Sequence, residues 1–172
     1  MKKGVLVLGG AASGKSEWAE DLAERFALPT TYLATGQAFD AETEKRIAIH
    51  QRRRDDRWTT CEEPLHPENI LRTLPTDQVV LIDCATMWLN NHLMADSDLD
   101  AAQTALIVGL RECAAQWIMV TNEVGHGIVP QNALARRFRE AQGRLNIAFA
   151  QEAAVVVQVI AGLPQVLKGD LP

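Results

Sequence analysis

"VLVLGGAASGKSEWAEDLAERF", residues 5–26, decides the fold. It opens on the continuous apolar run 5–8, the pattern of a strand covered on both faces. It closes on Trp18, Ala19, Leu22, Ala23 and Phe26, spaced as one face of a helix spanning 16–26. Between strand and helix stands Gly9-x4-Gly14-Lys15-Ser16, a complete P-loop pattern in the context that the motif requires. Glycine lets the backbone N–H groups converge on phosphate oxygens, and the helix N-terminus adds partial positive charge. Lys15 is then assigned to the β and γ phosphates and the Ser16 hydroxyl to Mg²⁺.

Outward from this stretch, "VVLID" (79–83), "WIMVTN" (117–122) and "AVVVQVIAG" (154–162) repeat the buried-strand pattern, and "PTTYLAT" (29–35) is a further candidate. Helical patterns lie at 101–116 and 132–153. The alternation predicts an α/β fold, a mostly parallel sheet flanked by helices. "PLHPEN" (64–69) and "MADSDLD" (94–100) read as surface loops, and no linker or repeat divides the chain, so residues 1–172 form one catalytic domain. Asp83 stands at the carboxyl tip of its strand, where a doubly wound sheet gathers ligands, and is the second Mg²⁺-positioning group.

The chain has 172 residues, 47% hydrophobic and 23% charged, which is ordinary for a globular domain with a real core. A net charge of −5 argues against general nucleic-acid binding or attraction to an anionic membrane. The cysteines Cys61, Cys84 and Cys113 lack paired metal-ligand spacing and fit a reducing compartment. No apolar run is long enough for an export signal or a membrane span, so a cytoplasmic location is expected.

"RIAIHQRRR", residues 46–54, sets His50 among Arg46, Arg52, Arg53 and Arg54 in an acidic chain. Read as a helix capped near Asp40, it places Arg46 one turn behind His50 and Arg53 and Arg54 one turn ahead. Cations at that spacing disfavour an imidazolium, leaving His50 neutral and nucleophilic beside an anion clamp. From spacing alone, a solvated charge run with an incidental histidine is the stronger reading. His66, His92 and His126 share no metal-ligand spacing.

"GGAASGKS", "YLATGQ", "RIAIHQRRRDDRWTTCE", "VVLIDCATMWLNN", "VTNEVGHGIVPQNALARRFREAQGRLN" and "AGLPQVLK" together resemble the bifunctional adenosylcobinamide kinase/adenosylcobinamide-phosphate guanylyltransferases of cobalamin biosynthesis. The resemblance implies a RecA-like P-loop fold and a homotrimer. It implies phosphorylation of the aminopropanol hydroxyl of adenosylcobinamide by a nucleoside triphosphate, ATP or GTP. GMP is then transferred from GTP to the new phosphate through a guanylylated His50. The implied nucleotide contacts fall on Gly9, Gly10, Ala11, Ala12, Ser13, Gly14, Lys15 and Ser16, on Ala34, Thr35 and Gly36, on Gln51, Arg52, Arg53 and Arg54, on Glu62 and on Asp83. His50, Lys15 and Asp83 carry the chemistry, and Ser16 and Asp83 hold Mg²⁺. Asp55 and Ile147 depart from the family's usual proline and glutamine without removing a catalytic group.

Some assignments stay open between chemistry and structure. Glu62 reads guanine or ribose, or is an ordinary exposed acid. Glu123 orients an attacking oxygen, assists Mg²⁺, or serves the turn made by Gly125 and Gly127. Arg136, Arg137 and Arg139 read best as solvated charge. Of the tryptophans, Trp117 reads as core and Trp88 as the candidate for substrate contact. Rival functions are a P-loop kinase for another small molecule and a non-catalytic nucleotide-sensing RecA-like module.

Overall fold

The computed structural model describes residues 3–36 and 56–172. In chain order the elements are β1 (Val5–Gly9), α1 (Lys15–Arg25), β2 (Thr30–Ala34), β3 (Trp58–Glu62), α2 (Pro67–Leu71), β4 (Val79–Asp83), α3 (Ala85–Met94), α4 (Leu99–Glu112), β5 (Gln116–Asn122), α5 (Ala133–Glu152), β6 (Val155–Ile160) and β7 (Leu163–Lys168). The described strands form a seven-stranded sheet in the order β3-β2-β4-β5-β1-β6-β7. Every neighbouring pair is parallel except the β6–β7 hairpin. This is the α/β architecture, a mostly parallel sheet flanked by helices, that the sequence predicts.

The apolar runs form the middle of the sheet because both faces there are covered. On one face Val5, Val7, Leu81, Ile118, Val120 and Val157 pack against Trp18, Ala19 and Leu22 of α1. On the other, Leu6, Val80, Ile82, Trp117 and Met119 pack against α2 to α5 through Leu71, Trp88, Leu106, Leu110 and Phe149. Side chains alternate along a strand, so the α1 face continues at the carboxyl tips through Gly9, Asn122, Asp83, Ala34 and Glu62.

Four elements escape the sequence patterns. β3 lies at one sheet edge with Thr59, Thr60 and Glu62 exposed, and so carries no apolar run. β7 lies at the other edge and continues the chain past "AVVVQVIAG". α2 begins inside "PLHPEN", with Pro67 at its first turn and Glu68 buried. In α3, "ATMWLNNHLM", polar Thr86, Asn91 and His92 are buried and interrupt the apolar pattern. They are tolerated because they are bonded: the Asn91 amide donates to Thr35 O (2.8 Å) and Pro64 O (3.0 Å), and His92 Nε2 lies 3.0 Å from Leu65 O.

Candidate active site

The P-loop joins the tip of β1 to α1, and four of its carbonyls are hydrogen-bonded, two within the loop and helix and two to neighbouring elements. Gly9 O accepts from Glu123 N (3.0 Å), Gly10 O from Ser13 N (3.3 Å), Ser13 O from Gly162 N (2.7 Å) and Gly14 O from Trp18 N (3.0 Å). Gly14, at φ +88°, adopts the left-handed conformation that starts α1, where no side-chain cap bonds the first N–H groups. Lys15 Nζ donates to Gly10 O (3.2 Å) within the same loop. Backbone N–H groups, a helix N-terminus and one ammonium gathered in one loop are the chemistry that an anion cradle requires.

Asp83 lies on the same face at the tip of β4, in register with Ala34 of β2 and Val120 of β5. The Tyr32 hydroxyl, from β2, donates to Asp83 Oδ2 at 3.1 Å. Glu62 is exposed at the tip of β3, opposite Ala34. Thr35 is fully buried, its hydroxyl donating to Cys84 O at 2.7 Å and its N–H to Asp83 O at 3.2 Å. Burial, then the Asp83 charge, pushes the Cys84 thiol up from its ordinary 9.0 to about 11, so it stands as a neutral wall and not a nucleophile.

The structure therefore brings together Gly9 to Ser16, Ala34 to Gly36, Glu62 and Asp83 along one carboxyl edge. His50 and Gln51 to Arg54 lie outside the described residues.

Other residues left open by the sequence resolve into structural roles. Glu123 Oε1 accepts from Gly125 N, the turn-serving option, while its own N–H braces Gly9. Arg139 donates to Gly125 O and, at 3.1 Å, to Ile128 O; Arg136 donates to Pro130 O at 2.9 Å. Both arginines hold the 123–132 loop; Arg139 is partly buried there, which corrects its reading as solvated charge, while Arg136 and Arg137 are exposed as that reading expects. Trp88 is 1% exposed and donates to Leu65 O at 3.0 Å, so it is core rather than a substrate surface. A polar cluster unseen in the sequence fixes the tip of β5. Asn146 Nδ2 donates to Asn122 O (3.0 Å), Gln142 Nε2 to Thr121 Oγ1 (3.0 Å), and Asn122 N to Thr86 Oγ1 (2.8 Å). The polar spacing in α5 is its only signal.

A recess of about 330 Å³ between α3 and α5, lined by Leu93, Met94, Leu134 and Phe138, lies on the face away from α1 and so is separate from the anion cradle.

A family model described as cobinamide kinase / cobinamide phosphate guanyltransferase matches residues 5–167. The bifunctional adenosylcobalamin biosynthesis protein CobP of Pseudomonas aeruginosa is 44% identical over 168 residues, 96% of this chain and 97% of its own. The bifunctional adenosylcobalamin biosynthesis protein CobU of Escherichia coli K12 is 37% identical over 175 residues, 92% of this chain and 96% of its own. Among solved structures, a protein of Pyrococcus horikoshii OT3 matches at a TM-score of 0.55 and 9% identity, over 97% of this chain and 86% of its own, a likeness of fold alone. The RadB recombinase matches at a TM-score of 0.47 and 14% identity, over 91% of this chain and 73% of its own.

Proposed function

The chain belongs to the cobinamide kinase / cobinamide phosphate guanyltransferase family, and from that premise we propose that one nucleotide site at the carboxyl edge serves both of its reactions. The enzyme is a bifunctional transferase. It phosphorylates the aminopropanol hydroxyl of adenosylcobinamide from a nucleoside triphosphate, then transfers GMP from GTP to adenosylcobinamide-phosphate, giving adenosyl-GDP-cobinamide. The observation that carries the single-site reading is the row of Gly9 to Ser16 and Asp83 on one face of the sheet.

In phosphoryl transfer the cradle N–H groups hold the phosphates. Lys15 leaves Gly10 O to meet the charge that grows on the transferred group. The hard oxygens of Ser16 and Asp83 suit Mg²⁺, which takes few protein ligands beside phosphate and water, and the Tyr32 hydroxyl orients the Asp83 carboxylate for that task. When bound, Mg²⁺ supplies neutralisation of phosphate charge.

In guanylyl transfer a neutral His50 ring nitrogen attacks the α-phosphorus of GTP. A P–N bond forms and the P–O bond to pyrophosphate breaks. An oxygen of adenosylcobinamide-phosphate then attacks the same phosphorus, the P–N bond breaks, and His50 is restored. Gln51, Arg52, Arg53 and Arg54 hold the triphosphate, with Ala34, Thr35 and Gly36 beside it. Glu62 accepts from guanine N1–H and N2–H or from ribose.

Residues 1–172 act as one catalytic domain, supported by the span of the family match. We assign a homotrimer in the cytoplasm. The family resemblance supports the assembly, as does the exposed Ile128 (96%). No described helix is long and apolar enough to cross a membrane.

The test is incubation with Mg²⁺ and GTP labelled at the α-phosphate, wild type beside His50→Ala, followed by denaturing electrophoresis. Label that survives denaturation, is lost in acid but not alkali, and is absent from His50→Ala is expected. Wild type that binds GTP yet stays unlabelled would leave a kinase for a small molecule as the better reading.

A further inference from the structure

The phosphate loop is held from outside by a part of the chain with no role in the chemistry above. β6 and β7 are joined by a two-residue turn, Ala161-Gly162, between the paired residues Ile160 and Leu163. Both turn residues have positive φ, 53° and 77°, the geometry that matches the twist of a tight hairpin. That geometry delivers the Gly162 N–H to Ser13 O at 2.7 Å, in the middle of the phosphate loop.

The approach is close along the whole contact. A Cβ on Gly14 would stand 3.0 Å from Gly162 Cα, and one on Gly9 would stand 2.6 Å from Val159 O. The outer strand of the hairpin, β7, buries little. Leu163, Val166 and Leu167 of β7 are all exposed, so apolar packing does not explain its place. Its far end is tied down by Lys168 Nζ, which donates to Ala150 O (2.7 Å) and Ala153 O (2.5 Å) at the end of α5.

A peptide unit is planar, and in the trans form its C=O and the following N–H point in opposite directions. Holding Ser13 O outward therefore aims Gly14 N–H inward, into the cradle. We propose that the β6–β7 turn braces the phosphate loop, and that Gly162 is a positioning residue whose backbone N–H sets the direction of the Gly14 N–H toward bound triphosphate. The inference rests on the nucleotide reading of the loop given above. Glu123 N does the corresponding service for Gly9 O, and so for Gly10 N–H, from the tip of β5.

Coupling between two sites is reciprocal, so a brace that favours nucleotide must itself be tightened by nucleotide. Amide hydrogen exchange at Gly162 in the full chain is expected to slow about tenfold when Mg²⁺ and GTP saturate the site. A turn that serves only the hairpin would not respond. The paired variants are Gly162→Val and Gly162→Asn. A Cβ at this position meets no atom within 4 Å, so both act through φ alone. Asn tolerates the left-handed region and a β-branched residue does not.

Gly162→Val is expected to weaken GTP binding about tenfold, in the range of site-to-site coupling, while its circular dichroism stays native. Gly162→Asn is expected to bind as wild type does. Unchanged exchange on adding GTP, or Gly162→Val binding GTP like wild type, overturns the brace. If Gly162→Val does not fold, wild-type exchange decides alone. Wild type that binds no GTP sinks the nucleotide reading and the brace with it. GTP binding with an indifferent Gly162 sinks the brace only.

Discussion

The tip of β4 and the turn between β6 and β7 are both assigned to the proposed phosphate site, and they are built on opposite terms. Val79 to Ile82 are buried mid-sheet residues that end in a side-chain carboxylate, Asp83. The hairpin is a sheet edge whose outer strand is exposed along most of its length and whose contribution is a backbone N–H. In the first case position and chemistry are written in residue types. In the second they are written in backbone conformation, which residue types constrain only through the φ that Ala161 and Gly162 adopt.

The contrast can be broken most forcefully just past β4. Trp88 is buried in α3, donates to Leu65 O, and stands edge-on to His92 with ring centroids 4.6 Å apart. Trp88→Ala is expected to lower unfolding free energy by about 3–5 kcal/mol, read from the urea midpoint at unchanged slope. A rise in KM for adenosylcobinamide with little loss of stability would return Trp88 to the substrate surface.

A smaller effect separates the two regions by pH. The Cys84 thiol titrates at about 11 in the fold against an ordinary 9.0, because burial and then Asp83 disfavour the thiolate. Between those values the native state keeps a proton that the unfolded chain has lost, so this stability is full below pH 9 and disappears as pH rises toward 11. The loss is on the order of 2–3 kcal/mol. Denaturation of wild type and Cys84→Ala from pH 8 upward measures it as a fall of wild-type stability relative to the variant, with parallel curves counting against a buried neutral thiol.

These same properties decide what can be read from the sequence. The positions of Gly9 to Ser16 and Asp83 are legible because the P-loop pattern is defined by residue types next to a strand, and the strands are buried enough to show as apolar runs. Trp88 misleads because its neighbours Asn91 and His92 are polar yet buried, satisfied by carbonyls of a loop distant in sequence. Arg139 misleads for a related reason. Its partners are the backbone oxygens of Gly125 and Ile128, and a carbonyl has no letter in a sequence. β3 and β7 escape notice because edge strands need not be apolar on either face. The Ala161-Gly162 turn is not visible at all: the apolar pattern carries the strand 154–162 through both residues, whereas β6 ends at Ile160.

The smallest expected effect is the sharpest check on the hairpin. Leu167 is 52% exposed on β7, so Leu167→Ala is expected to change stability by less than about 0.5 kcal/mol. It leaves the Gly162 N–H and the Lys168 contacts untouched, so nucleotide affinity should be unchanged as well. Burial by another copy of the chain would alter that result in a recognisable way. The cost would exceed about 1 kcal/mol and would depend on protein concentration, because association adds stability by mass action. A concentration-independent, near-zero value therefore says that β7 is held at its two ends and not along its side chains. In that case the edge strand serves as a strut, and the exposed leucines along it carry no stability of their own.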